Sequence, residues 1–231
     1  KRTIHIALLF FSIALMVYLP LFGAGYLSWD DDLHILTNAR LIDGDIFYFW
    51  RHIYFGLYIP VIYSIWTLLA PLGPEALHTV NVAIHTFNAL LVYFLLHRLM
   101  RRAEPRQTGS LLTEPEFWGA AIFFLHPVQT AAVSWISALR DLLGLCFTLL
   151  CLLVYFSKNS RRKKVSFLFY VLSLLCKPTA VVLPLMIAVI EYFRRRAPLA
   201  RQIARFWAWY LVALVQVALT QLAQGASAQS P

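Results

Sequence analysis

The sequence predicts an all-α polytopic membrane protein with about seven transmembrane helices and a long first outer loop that carries interfacial helices. The chain has 231 residues, 60% of them are hydrophobic, and the mean hydropathy is +0.67. Soluble domains are roughly 45–50% apolar, so this composition belongs to a membrane protein. The apolar runs are also too long and too uniform for the strands of a membrane barrel. We therefore predict a single helical membrane domain over residues 1–231.

The placement of the positive charges predicts the topology. The formal net charge is +9, and 16 of the 20 Lys and Arg residues lie at 1–2, 98–106, 158–164 and 194–205. Lys and Arg concentrate in the cytoplasmic loops of membrane proteins. The N-terminus and the loops at 101–113, 158–164 and 194–205 are thus predicted to be cytoplasmic. Because topology explains the basic runs, no nucleic-acid partner is predicted.

The first helix and the outer loop come next in the chain. Helix one is predicted at 4–22 as a retained anchor, because the run has no small-residue cleavage site. The outer loop covers 23–77, and its aromatic, mildly basic stretch at 46–55 suits a helix lying in the membrane interface. Pro60 and Pro71 bracket a short apolar segment, which we predict to be juxtamembrane or re-entrant.

The remaining apolar stretches predict the rest of the bundle. The predicted elements are helix two at 76–100, helix three at 115–137, helix four at 139–157, a short helical hairpin of 165–176 and 177–193, and helix seven at 206–223. The three cysteines, Cys146, Cys151 and Cys176, lie in apolar runs and are predicted to be reduced core residues.

The hairpin prediction rests on length. Residues 165–176 span roughly 18 Å as a helix, whereas the hydrocarbon core is roughly 30 Å thick. The chain therefore cannot cross the membrane before Lys177-Pro178, where proline lacks an N–H and disfavours helix at the preceding residue. Lys177 is predicted to lie within the membrane, facing a polar cavity and paired with an anion. That anion is either a lipid phosphate or a carboxylate such as Asp30 or Asp141.

Three adjacent carboxylates follow the first apolar run, in Trp29-Asp30-Asp31-Asp32. Adjacent like charges raise each other's proton affinity, so one carboxylate could act as a base near neutral pH. The alternative is an ordinary acidic loop. Arg140-Asp141 is interpreted as a local ion pair in the outer turn.

Helix two carries a polar stripe of His78, Asn81, His85 and Asn88. Their offsets of 0, 3, 7 and 10 place all four side chains on one helical face. Polar groups at membrane depth must face protein or water. We interpret His85 and Asn88 as interhelical hydrogen-bonding residues, and predict that His78 and Asn81 line a site. Asp30 or Asp31, His78, Asn81 and His126 are expected to converge on one outward-facing cavity.

Four strings in the chain carry a resemblance to a known family. They are Trp29-Asp-Asp-Asp with Asn38 downstream, His78-Thr-Val-Asn-Val-Ala-Ile-His-Thr-Phe-Asn-Ala-Leu-Leu91, Phe124-Leu-His-Pro-Val-Gln-Thr with Val133-Ser-Trp-Ile136, and Leu174-Leu-Cys-Lys-Pro-Thr-Ala-Val-Val-Leu-Pro184. In this order and spacing they resemble the membrane part of the GT-C fold glycosyltransferases. The specific likeness is to bacterial relatives of the transmembrane and tetratricopeptide-repeat O-mannosyltransferases, over about residues 27–193.

The resemblance implies inverting transfer of a sugar from a polyprenyl-phosphate donor to a hydroxyl acceptor on the outer face of the membrane. It implies that Asp31, or else Asp30, acts as the base or helps to hold a divalent cation. Lys177, and second Arg140, would bind the donor phosphate. The residues implied to line the site are His78, Asn81, His126 and Gln129. The implied setting is the lipid bilayer of a bacterial inner membrane, with the N-terminus cytoplasmic and the site facing the periplasm.

Two departures from the family pattern keep a second reading open. Ala131 stands where the family usually has Glu, and Ala138-Leu-Arg-Asp141 stands where relatives read Glu-Arg-Lys-Asp or Gly-Arg-Ala-Asp. The alternative is therefore a catalytically degenerate relative that serves as an accessory subunit with membrane-protein partners. A small transporter is a third reading, but the chain has no inverted repeat to support it.

Overall fold

The part of the chain that the structure describes folds into α-helices without a β-strand, which confirms the all-α class. The computed structural model describes residues 2–28, 30–100, 111–157, 162–196 and 198–227. Trp29 and most of the predicted cytoplasmic loops at 101–113 and 158–164 lie outside these residues. The α-helices, in chain order, are α1 (Arg2–Tyr18), α2 (Ala39–Ile42), α3 (Ile46–Arg51), α4 (Pro60–Leu69), α5 (Pro74–Met100), α6 (Pro115–Leu125), α7 (Gln129–Ser134), α8 (Leu139–Tyr155), α9 (Arg162–Cys176), α10 (Leu183–Arg195), α11 (Leu199–Ala204) and α12 (Trp207–Ser227).

Three helical stretches among the described residues are long and apolar enough to cross a membrane. They are Thr3–Gly23, Pro74–Met100 and Ile136–Tyr155. Shorter apolar helices lie at Pro60–Leu72, Pro115–Leu125 and Lys164–Cys176. Length and composition thus support a membrane protein, and the count of about seven spans stays a prediction.

The predicted third helix is interrupted twice. It ends first at Leu125, because Pro127 lacks an N–H, and His126 takes an extended backbone with ψ of 130°. It breaks again at Trp135, where ψ is 127° although no proline is present. At this second break the Asn81 amide donates hydrogen bonds to the carbonyl oxygens of Trp135 at 2.6 Å and Val133 at 3.4 Å. A side chain of α5 therefore satisfies backbone groups that the helix leaves unpaired.

The described helices bury three main apolar clusters. One joins α1, α5 and α6 around Phe10 and Phe124, and a second joins α8, α9, α10 and α12 around Tyr170 and Trp209. The third packs the described residues between α1 and α5, which we call the outer segment after its predicted position, against α5 and α9 around Trp66. The outer segment thus has its own packed interior, and this interior positions the acidic stretch.

Helices α8 and α9 make the most extensive helix–helix contact in the described chain. Gly144 permits this close approach, since a Cβ added there would lie 3.3 Å from the Cβ of Lys177. The helix α9 ends at Cys176, and a 3-10 turn at Pro178–Val182 leads into α10. The helix is therefore broken at Lys177-Pro178.

Candidate functional site

Four charged side chains from three distant segments form a continuous ion-pair chain. Arg140 donates to Asp30, with 2.7 Å between Nη2 and Oδ2. The Nε of Arg140 also lies 3.9 Å from Oδ2 of Asp141. Lys177 donates to the other oxygen of Asp141. We call Asp30, Arg140, Asp141 and Lys177 the charged quartet; its two cations and two anions sum to zero.

The helix break explains how Lys177 reaches this quartet. Its backbone is extended, with φ of −153° and ψ of 127°, while its N–H still donates to Ser173 at 2.9 Å. The end of α9 therefore holds the Lys177 backbone in place, and the side chain extends towards the first turn of α8. Of the two carboxylates that the sequence offered as its partner, the structure places Asp141 there.

Asp31 has a different environment from Asp30. Only 1% of Asp31 is exposed, and both its carboxylate oxygens accept backbone N–H groups. Oδ2 accepts from Leu27 at 3.0 Å, and Oδ1 accepts from Ser137 at 2.8 Å. A base must reach the proton that it removes. Asp31 therefore connects the outer segment to the start of α8, and Asp30 is the more accessible of these two carboxylates.

A cavity of about 470 Å³ opens beside Asp141 and Lys177, between α7, α8, α9 and α10. This volume lies in the range typical of small-molecule sites. Gln129, Asp141, Lys177 and Thr179 supply polar groups to its lining. The apolar part of the lining comes from Ala132, Leu142, Leu145, Ala180, Val182, Leu183 and Met186. Such a lining suits a molecule with a charged head and a hydrocarbon tail.

A second polar spot lies deeper along the same cavity. Thr148 and Ser173 line it, and their hydroxyl oxygens are 2.8 Å apart. Both hydroxyls also bond the carbonyl oxygen of Gly144, at 2.9 Å and 2.8 Å. Thr148 follows Asp141 by seven residues, which puts the two side chains on one face of α8, roughly 10 Å apart along its axis.

His85 and Asn88 bond to backbone carbonyl groups, as interhelical residues would. Nε2 of His85 donates to Phe124 at 3.0 Å, and the Asn88 amide donates to Leu142 at 2.8 Å. Phe124 precedes the break at Pro127, so His85 supplies a donor where the helix lacks one. Both side chains are fully buried.

His78 and Asn81 take a similar position, which differs from the predicted lining role. His78 is 1% exposed and Asn81 is 0% exposed, and neither lines the cavity beside Lys177. Nε2 of His78 donates to the carbonyl oxygen of Gly25 at 3.1 Å, while Asn81 bonds the break at Trp135. Both residues support the segments that Asp31 joins, because free backbone carbonyls at those segments need donors.

Of the two remaining predicted lining residues, only Gln129 reaches the cavity. His126 is exposed, and its Nδ1 accepts the N–H of Val128 at 3.1 Å, which is a local turn contact. Asp31, His78 and Asn81 are buried beside their backbone partners, and the convergence of Asp30 or Asp31, His78, Asn81 and His126 on one outward-facing cavity stays a prediction. The cavity beside Lys177 is lined by Gln129 and, of the charged quartet, by Asp141 and Lys177.

The suggested divalent cation does not fit the residues present. Both oxygens of Asp31 already accept backbone donors, and Asp30 is paired with a guanidinium group. Among the described residues, no group of three or more His, Cys, Asp or Glu side chains could hold a metal ion.

Sequence reasoning did not select His34 as a site residue, although His34 lies in the same stretch as Asp30. Its Nδ1 forms a 2.7 Å hydrogen bond with the hydroxyl of Tyr63, and it is 3% exposed. Burial, and next the charge of Arg140, lower the pKa of His34 to about 4. His34 therefore stays uncharged near neutral pH.

Two sequence spacings could have identified more of the site. Thr148 follows Asp141 by seven residues, and Lys177 follows Ser173 by four.

Comparison with protein-family models, curated proteins and solved structures finds no match for the chain.

Proposed function

We propose that the chain transfers a sugar from a polyprenyl-phosphate donor to a hydroxyl acceptor on the outer face of the membrane, as the GT-C resemblance implies. The observation that carries the proposal is the charged quartet at the edge of a largely apolar cavity. A polyprenyl-phosphate sugar has this division, with an anionic head and a long hydrocarbon tail. The proposed setting is a bacterial inner membrane with the quartet facing the periplasm, as the positive charges predict.

Each member of the quartet has a role in this proposal. Lys177 and Arg140 bind the phosphate, because cations stabilise the negative charge that a leaving phosphate acquires. Asp30 is the base, since Asp31 is buried and both its oxygens are occupied. Asp31 positions Asp30 by joining the outer segment to the start of α8.

The reaction then proceeds as one displacement. Asp30 accepts the proton of the acceptor hydroxyl, and the hydroxyl oxygen forms a bond to the anomeric carbon. The bond from that carbon to the phosphate oxygen breaks, and the lipid phosphate leaves with the electron pair towards Lys177 and Arg140. The configuration at the anomeric carbon is inverted.

Turnover of a radiolabelled polyprenyl-phosphate sugar by the full chain in liposomes tests this function. Asp30→Asn is expected to lower the rate by about 10²–10⁴-fold, because it removes the base and keeps the shape. Lys177→Met is expected to weaken donor binding. Asp31→Asn is expected to lower the melting temperature as well, because an amide NH₂ would face one of the two backbone N–H donors.

Asp43→Asn is the matched control, because Asp43 is an exposed carboxylate of the outer segment without a place in the quartet. It should leave both rate and melting temperature unchanged. If the wild-type protein shows no turnover, and Ala131→Glu does not produce turnover, the proposed catalysis is refuted.

The accessory-subunit reading is the second candidate, and one observation favours it. The quartet is self-neutralised, and the residue at the family's acidic position, Ala131, lies exposed on α7 outside the cavity lining. A structural subunit would purify inside a larger membrane complex and would not turn over any donor. Purification from the native membrane in mild detergent separates the two readings.

A further inference from the structure

We propose that Asp141 takes the place of the ligand's phosphate as the partner of Lys177, and that an anionic headgroup must displace Asp141 as that partner to enter the cavity. This inference rests on the proposed function and deepens it, because it assigns Asp141 as a determinant of affinity and specificity in the donor site.

The first argument is charge. Lys177 and Arg140 are the cations of the quartet, and each already has a carboxylate partner. Asp141 is shared between them, since one of its oxygens bonds Lys177 and the other lies 3.9 Å from Arg140. An incoming anion therefore meets a neutral group of charges and has to compete with Asp141.

The second argument is accessibility. The side chain of Asp141 is 39% exposed and that of Lys177 is 32% exposed, whereas Asp31 is buried. Both Asp141 and Lys177 line the cavity, so a molecule in the cavity contacts the ion pair directly. A pair this exposed is weak enough to be exchanged, because water screens it.

The third argument is which partner can move. The backbone N–H of Lys177 bonds Ser173, and Gly144 packs against its Cβ, so the base of the side chain is held. Beyond Cβ, the flexible stem lets the ammonium group turn from Asp141 to a phosphate in the cavity. Arg140 stays bound to Asp30 during this exchange and keeps its orientation.

The specificity follows from the competition. A neutral prenyl alcohol has no negative charge to replace the Asp141 carboxylate as the partner of Lys177. A phosphate has that charge and can replace the carboxylate. The cavity should therefore discriminate between a prenyl phosphate and the matching alcohol, and Asp141 should set the affinity for the phosphate.

Native mass spectrometry of the full chain, titrated with undecaprenyl phosphate or undecaprenol, tests the inference. Asp141→Asn is expected to bind undecaprenyl phosphate about fivefold more tightly than wild type, since it removes the competing charge of a partly exposed pair. Binding of undecaprenol should not change. Asp43→Asn makes the same change in net charge away from the cavity and should leave both affinities unchanged. Asp141→Glu keeps the competing charge and should show no gain, and Asp141→Ala is the second neutral variant if the Asn variant does not fold.

The outcomes separate this inference from the proposed function. If wild type binds the phosphate lipid, Lys177→Met loses it and Asp141→Asn shows no gain, the donor site stands and the displacement by phosphate is refuted. If neither wild type nor Asp141→Asn prefers the phosphate to the alcohol, the donor site itself is refuted. Displacement of the lipid by an equal concentration of inorganic phosphate would overturn the choice of a lipid occupant.

Discussion

At the scale of single residues, Asp30 and Asp31 show how far two adjacent identical side chains can differ. Asp31 bonds a residue 106 positions away, and Asp30 bonds one 110 positions away. The distant partner of Asp31 is the backbone N–H of Ser137, and the distant partner of Asp30 is the guanidinium group of Arg140. The sequence predicted that a carboxylate of this stretch matters, but it could not assign the roles, because the two partners come from a distant segment.

His34 gives a residue-scale prediction about pH. Its pKa is lowered from 6.5 to about 4, first by burial and then by Arg140. Unfolded His34 therefore binds a proton more readily than folded His34 as the pH falls from 6.5 towards 4. The contribution of His34 to the free energy of unfolding is therefore fully present above pH 6.5. It is lost as the pH falls towards 4, by on the order of 3 kcal/mol.

Thermal unfolding of the detergent-solubilised protein between pH 7.5 and pH 4, a range chosen to cover roughly this window, measures the effect. His34→Gln is the control, since glutamine does not titrate and can still bond the Tyr63 hydroxyl. The variant should lose less stability with falling pH than wild type does. Equal slopes for the two proteins would show that His34 does not carry the pH dependence.

At the scale of elements, the contact of α8 with α9 brings Lys177 to Asp141. An added Cβ at position 144 would lie 3.3 Å from the Cβ of Lys177, so that side chain would have to move by a few tenths of an ångström. Gly144→Ala is therefore expected to destabilise the helix pair by about 1–3 kcal/mol, as overpacking does. It should also weaken binding of undecaprenyl phosphate, because the shift moves the base of the Lys177 side chain, which sets the position of its ammonium group.

Gly119→Ala is the matched control for this helix contact. A Cβ there meets only Cδ1 of Leu96, which is the end of a flexible side chain and can shift. Its melting temperature is expected to change less than that of Gly144→Ala, and lipid binding should not change. Equal loss of lipid affinity in both variants would show that the contact of α8 with α9 has no special part in the site.

The elements also show what local sequence can predict. The break at Lys177-Pro178 was predictable, because Pro178 lacks an N–H and the helix is too short to cross a membrane. The break at Trp135 was not, because no local residue causes it and its unpaired carbonyl accepts from Asn81, 54 positions away. For the same reason the lining role predicted for Asn81 differs from its observed position. A polar stripe on a helix indicates hydrogen-bonding partners, but it does not say whether they are a ligand or a backbone.

At the scale of the whole molecule, the charged quartet joins the outer segment, the start of α8 and the break after α9. These three segments are far apart in the chain, and Asp31 adds a second connection between the first two. The cavity beside the quartet is therefore a product of the overall fold. We propose a prenyl phosphate as the occupant of this cavity, with the phosphate at Lys177 and the chain along the apolar wall.

Photocrosslinking tests this central claim most directly. The full chain in liposomes would be labelled with an undecaprenyl phosphate that carries a diazirine close to the phosphate, and the modified residues would be identified by mass spectrometry. We expect labelling of cavity residues such as Leu145, Leu183 and Met186, and loss of that labelling in Lys177→Met. The contradicting result would be labelling confined to exposed residues of α12, such as Leu214 and Leu222, that Lys177→Met does not change. It would show that the lipid does not occupy the cavity beside Lys177.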